Sequence, residues 1–260
     1  MKKFKGLVLI TICLIAALTL FGCGQGQTGS TNAGGSQKIT VAVINDYPPM
    51  EFKKDGKLTG FDIDLVEAIA KQTGLEVEWK EMKFDGIIPG LQAKQVDAAV
   101  SAITIRPDRQ EVVDFTDPYM TSGLSLIVKK DGPVKKLEDL KGKTIVAKQG
   151  TTGLEKAKEL AQQYGAKVKV LQDDTALYLD VETGNSDATI NDFSSAAYKV
   201  KVDGDKSKLT ILGDRLTGED YGIAIVKGNK ELLDKFNNGL KAVKDSGEYD
   251  KIMERYFATN

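Results

Sequence analysis

Strand-like and helix-like hydrophobic patterns alternate along this chain in two successive runs, and that order limits the fold more than any other feature. The first run predicts strands at 38–44, 75–79 and 96–105, with helices at 61–73 and 86–95 between them. The second run predicts strands at 143–147, 167–171 and 186–190, with helices at 152–164 and 176–183 between them. Such alternation is typical of parallel sheets covered by helices. The sequence therefore predicts an α/β fold with two lobes of similar topology.

The rest of the chain adds a strand at 221–226 and an amphipathic helical region at 230–256 with a break near Gly247. In open α/β sheets, ligands bind outside the carboxyl ends of the strands. Three segments follow predicted strands in this way, at 104–109, 148–153 and 191–192. If the lobes face each other, these segments converge on one site.

The first residues have the layout of a secretory signal peptide. Three lysines among residues 2–5 precede an apolar stretch at 7–21, and Leu-Phe-Gly-Cys at 20–23 resembles a bacterial lipobox. We predict a signal peptide at 1–22 and lipidation of Cys23, which would hold the protein on the outer face of the cell membrane. The stretch 23–37 is rich in Gly, Ser, Thr and Gln, and it is predicted to be a flexible tether.

The composition excludes several kinds of site. The chain has no His, and Cys13 and Cys23 both fall in or next to the predicted signal peptide, so Ser-His-Asp catalysis, Cys-His catalysis and His-ligated zinc are excluded. We expect neither a metal nor a cofactor. Without the signal peptide the 36 basic residues fall to 33 against 37 acidic ones, and the two signs are interspersed. Nucleic-acid binding is therefore not expected.

The segment 99–109 predicts a small anion-binding site. Thr104 ends an apolar run, and Pro107 is suited to the first position of a helix. Arg109 then falls in the first helical turn, where the helix dipole disfavours a cation and the backbone N–H groups lack partners. A guanidinium, a hydroxyl and free amides at one strand end form a good receptor for a carboxylate. The alternative is an ordinary surface corner with a solvated Arg.

Two further segments carry candidate site residues in the second run. In 148–153, Gly150 and Gly153 allow close approach to the backbone, and Thr152 with Glu155 fits a capping box. This segment lacks the spacing of a P-loop, and an ordinary capped helix is the alternative. Asp192 follows a buried strand and precedes a helix, so it is either an N-cap or a carboxylate for a ligand ammonium.

Six segments in register resemble the bacterial extracellular solute-binding proteins of family 3, the polar amino-acid receptors of ABC importers. These are YPPMEF at 47–52, GFDIDL at 60–65, FDGIIPGL at 84–91, TIRPDR at 104–109, DFTDPY at 114–119 and YGIA at 221–224. The resemblance covers residues 38–260.

The resemblance implies a two-lobed, type II periplasmic-binding-protein-like fold with the ligand in the cleft. The first lobe would comprise 38–119 and 222–260, and the second 123–217. Two crossing strands, at 119–123 and 217–221, would join them. This fold implies a binding protein without catalysis.

The resemblance also implies a role for each candidate residue. Arg109 would bind the α-carboxylate of the ligand, helped by Thr104 and by the amides of Thr151 and Thr152. Asp192 would receive the α-ammonium, together with the Ala102 carbonyl and the Thr104 hydroxyl. The aromatic rings that would flank the ligand belong to Tyr47 and Phe84.

The side chain of the ligand would be selected by other residues. Many receptors for glutamine or basic amino acids carry an Asp where this chain has Ile44, and Asp46 could replace it only across a gap. Lys148 matches a lysine that reaches the ligand side chain in glutamine-type relatives, and Asn191 could add an amide contact. A glutamine-like or acidic side chain is therefore favoured over a basic one, and we expect Arg or Lys to bind no better than Gln or Glu.

The expected partners are a free L-amino acid and a membrane permease driven by a separate ATPase. The protein itself is expected to be a monomer that is attached to the membrane only through its lipid.

Two alternative functions stay open. One is an enzyme on the same fold that resembles the cyclohexadienyl dehydratases, which would need a general acid beside the ligand. The other is a sensory ligand-binding domain.

Overall fold

The computed structural model describes residues 36–257. The predicted signal peptide, Cys23 and the tether as far as residue 35 lie outside the described residues. Gln37, expected at the end of the tether, is instead the first residue of strand β1 (Gln37–Val43), because its backbone continues the parallel ladder with the strand that begins at Leu75.

The first sheet has five strands in the order β5-β1-β6-β15-β7. Its strands are β1, β5 (Leu75–Glu81), β6 (Ala98–Ala99), β7 (Val113–Phe115) and β15 (Ala224–Val226). The helices of this part are α1 (Phe61–Thr73), α2 (Phe84–Gln92), α3 (Pro107–Val112), α7 (Lys230–Asp245) and α8 (Glu248–Phe257). β1 is parallel to β5 and β6, whereas β15 from the end of the chain is antiparallel to β6 and β7. This sheet with its helices is called the first lobe.

The second sheet has the order β11-β10-β12-β9-β13. Its strands are β9 (Leu124–Lys129), β10 (Thr144–Lys148), β11 (Lys167–Leu171), β12 (Ala188–Asp192) and β13 (Leu209–Leu212). Its helices are α4 (Thr152–Tyr164), α5 (Asp174–Glu182) and α6 (Phe193–Asp203), with two short 3₁₀ helices at Leu137–Leu140 and Gly204–Lys206. β10 is parallel to β11 and β12, and β9 is antiparallel to β12 and β13. This sheet with its helices is called the second lobe.

Two short antiparallel strands connect the lobes. The chain leaves the first lobe through β8 (Met120–Ser122) and returns through β14 (Glu219–Tyr221), which pairs with β8. A small antiparallel sheet of β2 (Asp46–Tyr47), β3 (Glu51–Lys54) and β4 (Lys57–Thr59) precedes α1. This small sheet was not predicted from the sequence.

Local signals explain the helix ends that the sequence predicted. α1 buries Ile63, Val66 and Ile69 on one face, as their spacing requires, and it ends at Gly74 with a left-handed backbone. The final helical region is divided into α7 and α8 around Gly247, which has a φ of 73°.

Some predicted bounds were wrong for tertiary reasons. The strand expected at 96–105 is reduced to Ala98–Ala99, because the chain turns away from the sheet before Ala102, whose φ is 43°. Beyond that turn, Thr104 forms an isolated antiparallel bridge with Tyr221. The helix expected at 86–95 starts earlier, at Phe84, and ends at Gln92. The strand expected at 186–190 is displaced to Ala188–Asp192, where it pairs with β9 along its whole length.

Gly123 between β8 and β9 is expected to be intolerant of a side chain. Its φ is 150°, and a Cβ there would lie 1.9 Å from the carbonyl oxygen of Thr217, two residues before the returning strand β14. Gly123→Ala should therefore lower the free energy of unfolding by about 3 kcal/mol, from backbone strain and overlap together. Urea unfolding measures this loss.

Gly142→Ala is the matched control. Gly142 has a φ of 72° but no atom within 4 Å of its added Cβ, so strain alone should cost about 1 kcal/mol. Equal losses in the two variants would contradict the close approach of the two connecting strands.

Candidate functional site

All ten residues that the sequence predicts for the site line one cavity between the lobes. They are Tyr47, Phe84, Ala102, Thr104, Arg109, Lys148, Thr151, Thr152, Asn191 and Asp192. The cavity has an empty volume of about 430 Å³, which includes space open to solvent. It lies at the carboxyl ends of β6, β10 and β12, where a ligand is expected in such sheets.

Arg109 is a buried cation that has no carboxylate partner among residues 36–257. Pro107 occupies the first position of α3, and Arg109 in the same turn is 6% exposed. Its guanidinium donates to the carbonyl oxygens of Thr104 (2.9 Å) in the first lobe and Gly150 (3.2 Å) in the second. Burial lowers the pKa of Arg109. Within residues 36–257 no carboxylate oxygen lies within 4 Å of it, and such a buried charge favours an anionic ligand.

The start of α4 faces the same end of the cavity. The predicted capping box at Thr152 was wrong. Thr151 is the N-cap, because its Oγ1 accepts from the Leu154 N–H (3.1 Å) and donates to the Lys148 carbonyl (2.8 Å). α4 therefore begins at Thr152, and the first amides of a helix have no partner inside it. They supply further donors for an anion beside Arg109.

Asp192 is a partly buried acid that also lines the cavity. It occupies the N-cap position of α6, but its side chain makes no capping hydrogen bond and instead accepts from the Tyr47 hydroxyl across the lobes. Burial raises the pKa of Asp192 to about 7. Its carboxylate can accept hydrogen bonds from a ligand cation.

Ala102 presents its backbone to the cavity in a conformation that L residues rarely adopt. The fully buried Asp62 holds it there, because its Oδ2 accepts from the Ala102 N–H (2.8 Å) and from the Tyr119 hydroxyl (3.0 Å). Burial raises the pKa of Asp62 to about 6.

In a third part of the cavity, Lys148 and Asn191 both contact Asp174, an acid that the sequence did not predict. Lys148 forms an ion pair with Asp174 and lies 3.8 Å from an oxygen of Asp46. Asn191 Nδ2 donates to the other Asp174 oxygen at 3.0 Å. Burial acts to lower the pKa of Lys148, but Asp174 and Asp46 outweigh it and raise that pKa. Lys148 is therefore surrounded by two carboxylates, of which Asp174 lines the cavity and Asp46 lies behind it.

The aromatic rings lie under these cations. The guanidinium carbon of Arg109 is 5.7 Å from the centre of the Phe84 ring. The Lys148 ammonium is 5.6 Å from the centres of both the Phe84 and the Tyr47 rings. At these distances a cation is attracted by the ring face.

Asp174 and Glu219 are the two acids of the site that the sequence did not predict. Asp174 is the first residue of α5, soon after β11, so the strand-end rule could have found it. Glu219 lies on β14, where Glu219 and Tyr221 are buried and Asp220 is exposed, and only this alternation indicated that it points inward. Asp46 was set aside on alignment grounds, yet it lies beside Lys148.

The part of the chain that the structure describes lacks two other kinds of feature. No group of three His, Cys, Asp or Glu side chains there could hold a metal ion. None of its helices combines the length and the apolar character that crossing a bilayer requires.

Comparison with known proteins identifies the family. The model of the bacterial extracellular solute-binding proteins, family 3, matches residues 39–259. The arginine-binding extracellular protein ArtP of Bacillus subtilis (strain 168) is 36% identical over 99% of this chain and 98% of its own. These matches confirm the resemblance inferred from the six sequence segments.

Solved structures confirm the two-lobed α/β fold. An ancestral arginine-binding protein bound to arginine is 42% identical, with a TM-score of 0.80 over 85% of this chain and 98% of that one. An ancestral arginine-binding protein bound to glutamine is 41% identical, with a TM-score of 0.79 over the same shares of 85% and 98%.

The raised pKa of Asp192 predicts how stability depends on pH. Because the folded protein holds this proton more tightly than the unfolded chain, ionisation of Asp192 costs the folded state free energy as the pH rises from about 4 to 7. Asp192→Asn removes that cost, so its advantage in unfolding free energy over the wild type should grow across this range by up to about 4 kcal/mol. Urea unfolding at several pH values measures it. A difference that does not change with pH would contradict the buried acid.

Proposed function

The chain belongs to the bacterial extracellular solute-binding proteins, family 3, and we propose that it is the substrate-binding component of an ABC importer for a polar L-amino acid. The observation that carries the proposal is the buried Arg109 guanidinium, which lacks a carboxylate partner in the described residues. A free amino acid supplies that carboxylate. It also supplies an ammonium group for Asp192, which lines the same cavity.

In the proposed complex the two charges of the zwitterion are bound by different residues. The α-carboxylate contacts Arg109 and the free amides at the start of α4, because charge-assisted bonds to a guanidinium fork are the strongest ones this site offers. The α-ammonium contacts Asp192 and the carbonyl of Ala102. Tyr47 and Phe84 flank the ligand.

Closure of the lobes completes the proposed binding mode. Arg106 of the first lobe pairs with Glu155 of the second at 2.7 Å, and Lys83 pairs with Asp173. The amide of Asp174 donates to Asp46 at 3.0 Å. We propose that ligand contacts to both lobes favour this closed state. The hinge would lie at 119–123 and 217–221, with lobes at 38–119 plus 222–260 and at 123–217.

For the ligand side chain we propose a neutral amide, as in glutamine. Lys148 and Asn191 supply a cation and an amide, and both already contact Asp174. An acidic side chain was also expected from the sequence, because Lys148 matches a lysine that reaches the ligand in glutamine-type relatives. The carboxylates of Asp174 and Asp46 offset the charge of Lys148 and would repel an acidic ligand.

A basic side chain such as that of arginine is the second candidate. The same two carboxylates, Asp46 and Asp174, could pair with a guanidinium, which needs a counter-charge when it is buried. ArtP, the relative with 36% identity, is named for arginine. The neutral Ile44 on the wall of the cavity weakens this candidate.

We further propose a location and partners. Lipidation at Cys23 would hold the protein, as a monomer, on the outer face of the cell membrane. There the closed form would dock on a permease that a separate ATPase drives. The dehydratase-like alternative would require one carboxyl group to act on the ligand ring, and formation of product from prephenate or arogenate would reveal it.

A thermal-shift screen of the twenty amino acids at 1 mM tests the proposal. Glutamine should raise the melting temperature most, by about 5 °C for a dissociation constant near 10 µM. Glutamate should give a smaller shift. A shift confined to arginine and lysine would reject the amide and support the second candidate. The absence of a shift with any amino acid would contradict the proposed function.

The Arg109→Ala variant tests the carboxylate contact within the same screen. We expect it to weaken binding by a factor of about 100 or more, since one partner of a buried charge pair is removed. Arg255→Ala is the matched control, because Arg255 pairs with Asp64 on the first lobe and lines no part of the cavity. Near-native affinity in a well-folded Arg109→Ala protein would reject Arg109 as the carboxylate ligand.

A further inference from the structure

Glu219 is a buried acid beside the cavity whose hydrogen-bond partners in the described part of the chain are all hydroxyl groups. It lies on β14 and is 8% exposed. Its Oε2 accepts from Thr104 Oγ1 (2.6 Å) and Thr152 Oγ1 (2.9 Å), and its Oε1 accepts from Thr217 Oγ1 (3.2 Å). Within residues 36–257 no Lys or Arg nitrogen lies within 4 Å of this carboxylate.

This arrangement determines the direction of two hydroxyl groups in the site. A carboxylate can only accept hydrogen bonds, and a threonine hydroxyl has one proton to donate. Thr104 and Thr152 therefore direct their protons at Glu219, and only lone pairs of their oxygens remain for the cavity that both residues line. The two oxygens can accept a hydrogen bond from an ammonium group, but they have no proton left to donate to a carboxylate.

Resting on the proposed function above, we propose that Glu219 is a positioning residue that sets the orientation of the bound zwitterion. By taking both protons, it makes Thr104 and Thr152 acceptors for the α-ammonium, alongside Asp192. The ligand carboxylate is thereby directed to Arg109 and to the amides at the start of α4. The hydroxyl of Thr104 then accepts from the ammonium, the role that the family resemblance also implies for it, and it has no proton to donate to the carboxylate.

Glu219 also makes this orientation depend on closure. Thr104 belongs to the first lobe, Thr152 begins α4 in the second, and Glu219 lies on the strand that connects them. Both hydroxyl groups reach the same carboxylate oxygen only when the lobes are together. The acceptor pair for the ammonium is therefore assembled in the closed state.

The test compares a ligand that has the α-amino group with one that lacks it. Calorimetry measures the affinities of L-glutamine and 5-amino-5-oxopentanoic acid, its desamino analogue, with displacement titration for the weaker ligand. If the screen selects arginine, L-arginine and 5-guanidinopentanoic acid replace them. A wild-type protein that binds no amino acid rejects the proposed function itself, before Glu219 is tested.

Glu219→Gln should lower the affinity for the amino acid at least tenfold and change that for the desamino analogue less than threefold. Gln is neutral and has one acceptor oxygen where Glu has two, so it holds the threonine protons less firmly than a carboxylate and lets one turn toward the cavity, where it opposes an ammonium. Asp220→Asn is the control, because Asp220 is the exposed neighbour on the same strand and should alter neither affinity. Equal losses for both ligands, or none, in Glu219→Gln would overturn the proposal.

Thr104 provides a second test if the Gln variant is poorly folded. Thr104→Val keeps the shape of the side chain and removes its oxygen, so it should weaken binding of the amino acid selectively. Thr104→Ser keeps the hydroxyl and should retain the wild-type preference for the amino acid over its desamino analogue. Loss of both ligands to the same extent in Thr104→Val, or failure of Ser to restore the difference, would overturn the assigned role.

Discussion

The buried guanidinium of Arg109 is the interaction on which the rest of the site depends. A buried cation is costly unless charge or hydrogen-bond acceptors surround it. Here two backbone carbonyls, one from each lobe, satisfy part of its hydrogen-bonding capacity. The first turn of α4 places free amides next to it. Together they form a region of positive potential that an anion completes, and the carbonyl of Gly150 links that region to lobe closure.

Asp192 and Glu219 form a second, acidic region, and each accepts from hydroxyl donors. Glu219 adjoins the Arg109 region, because Thr104 and Thr152 both donate to it. A third region is formed by the ion pair of Lys148 and Asp174. This division explains how one fold can bind many amino acids. The first two regions recognise the charges common to all of them, and the third can vary with the side chain.

Residues at strand ends and helix starts were predictable because their signals are local. The corner at 104–109 and the acid Asp192 were found from neighbouring residues alone, and the structure brings both into one cavity. The contacts of Glu219 join positions 115 residues apart in the chain, and no local pattern reports such a contact. The role of Thr152 also depends on tertiary structure. Thr151 caps the helix, and the hydroxyl of Thr152 instead donates to Glu219. Asp174 also lies just after a strand, where ligands are expected to bind, but the sequence did not predict it as a site residue.

The most direct test of this account is a crystal structure of the protein with L-glutamine, or with L-arginine if that is the ligand. The account predicts the α-carboxylate within hydrogen-bonding distance of the Arg109 guanidinium and of the first amides of α4. It predicts the α-ammonium against Asp192, with the Thr104 oxygen as a further acceptor. A ligand bound in the reverse orientation, or one that leaves Arg109 bonded only to backbone carbonyls, would contradict it.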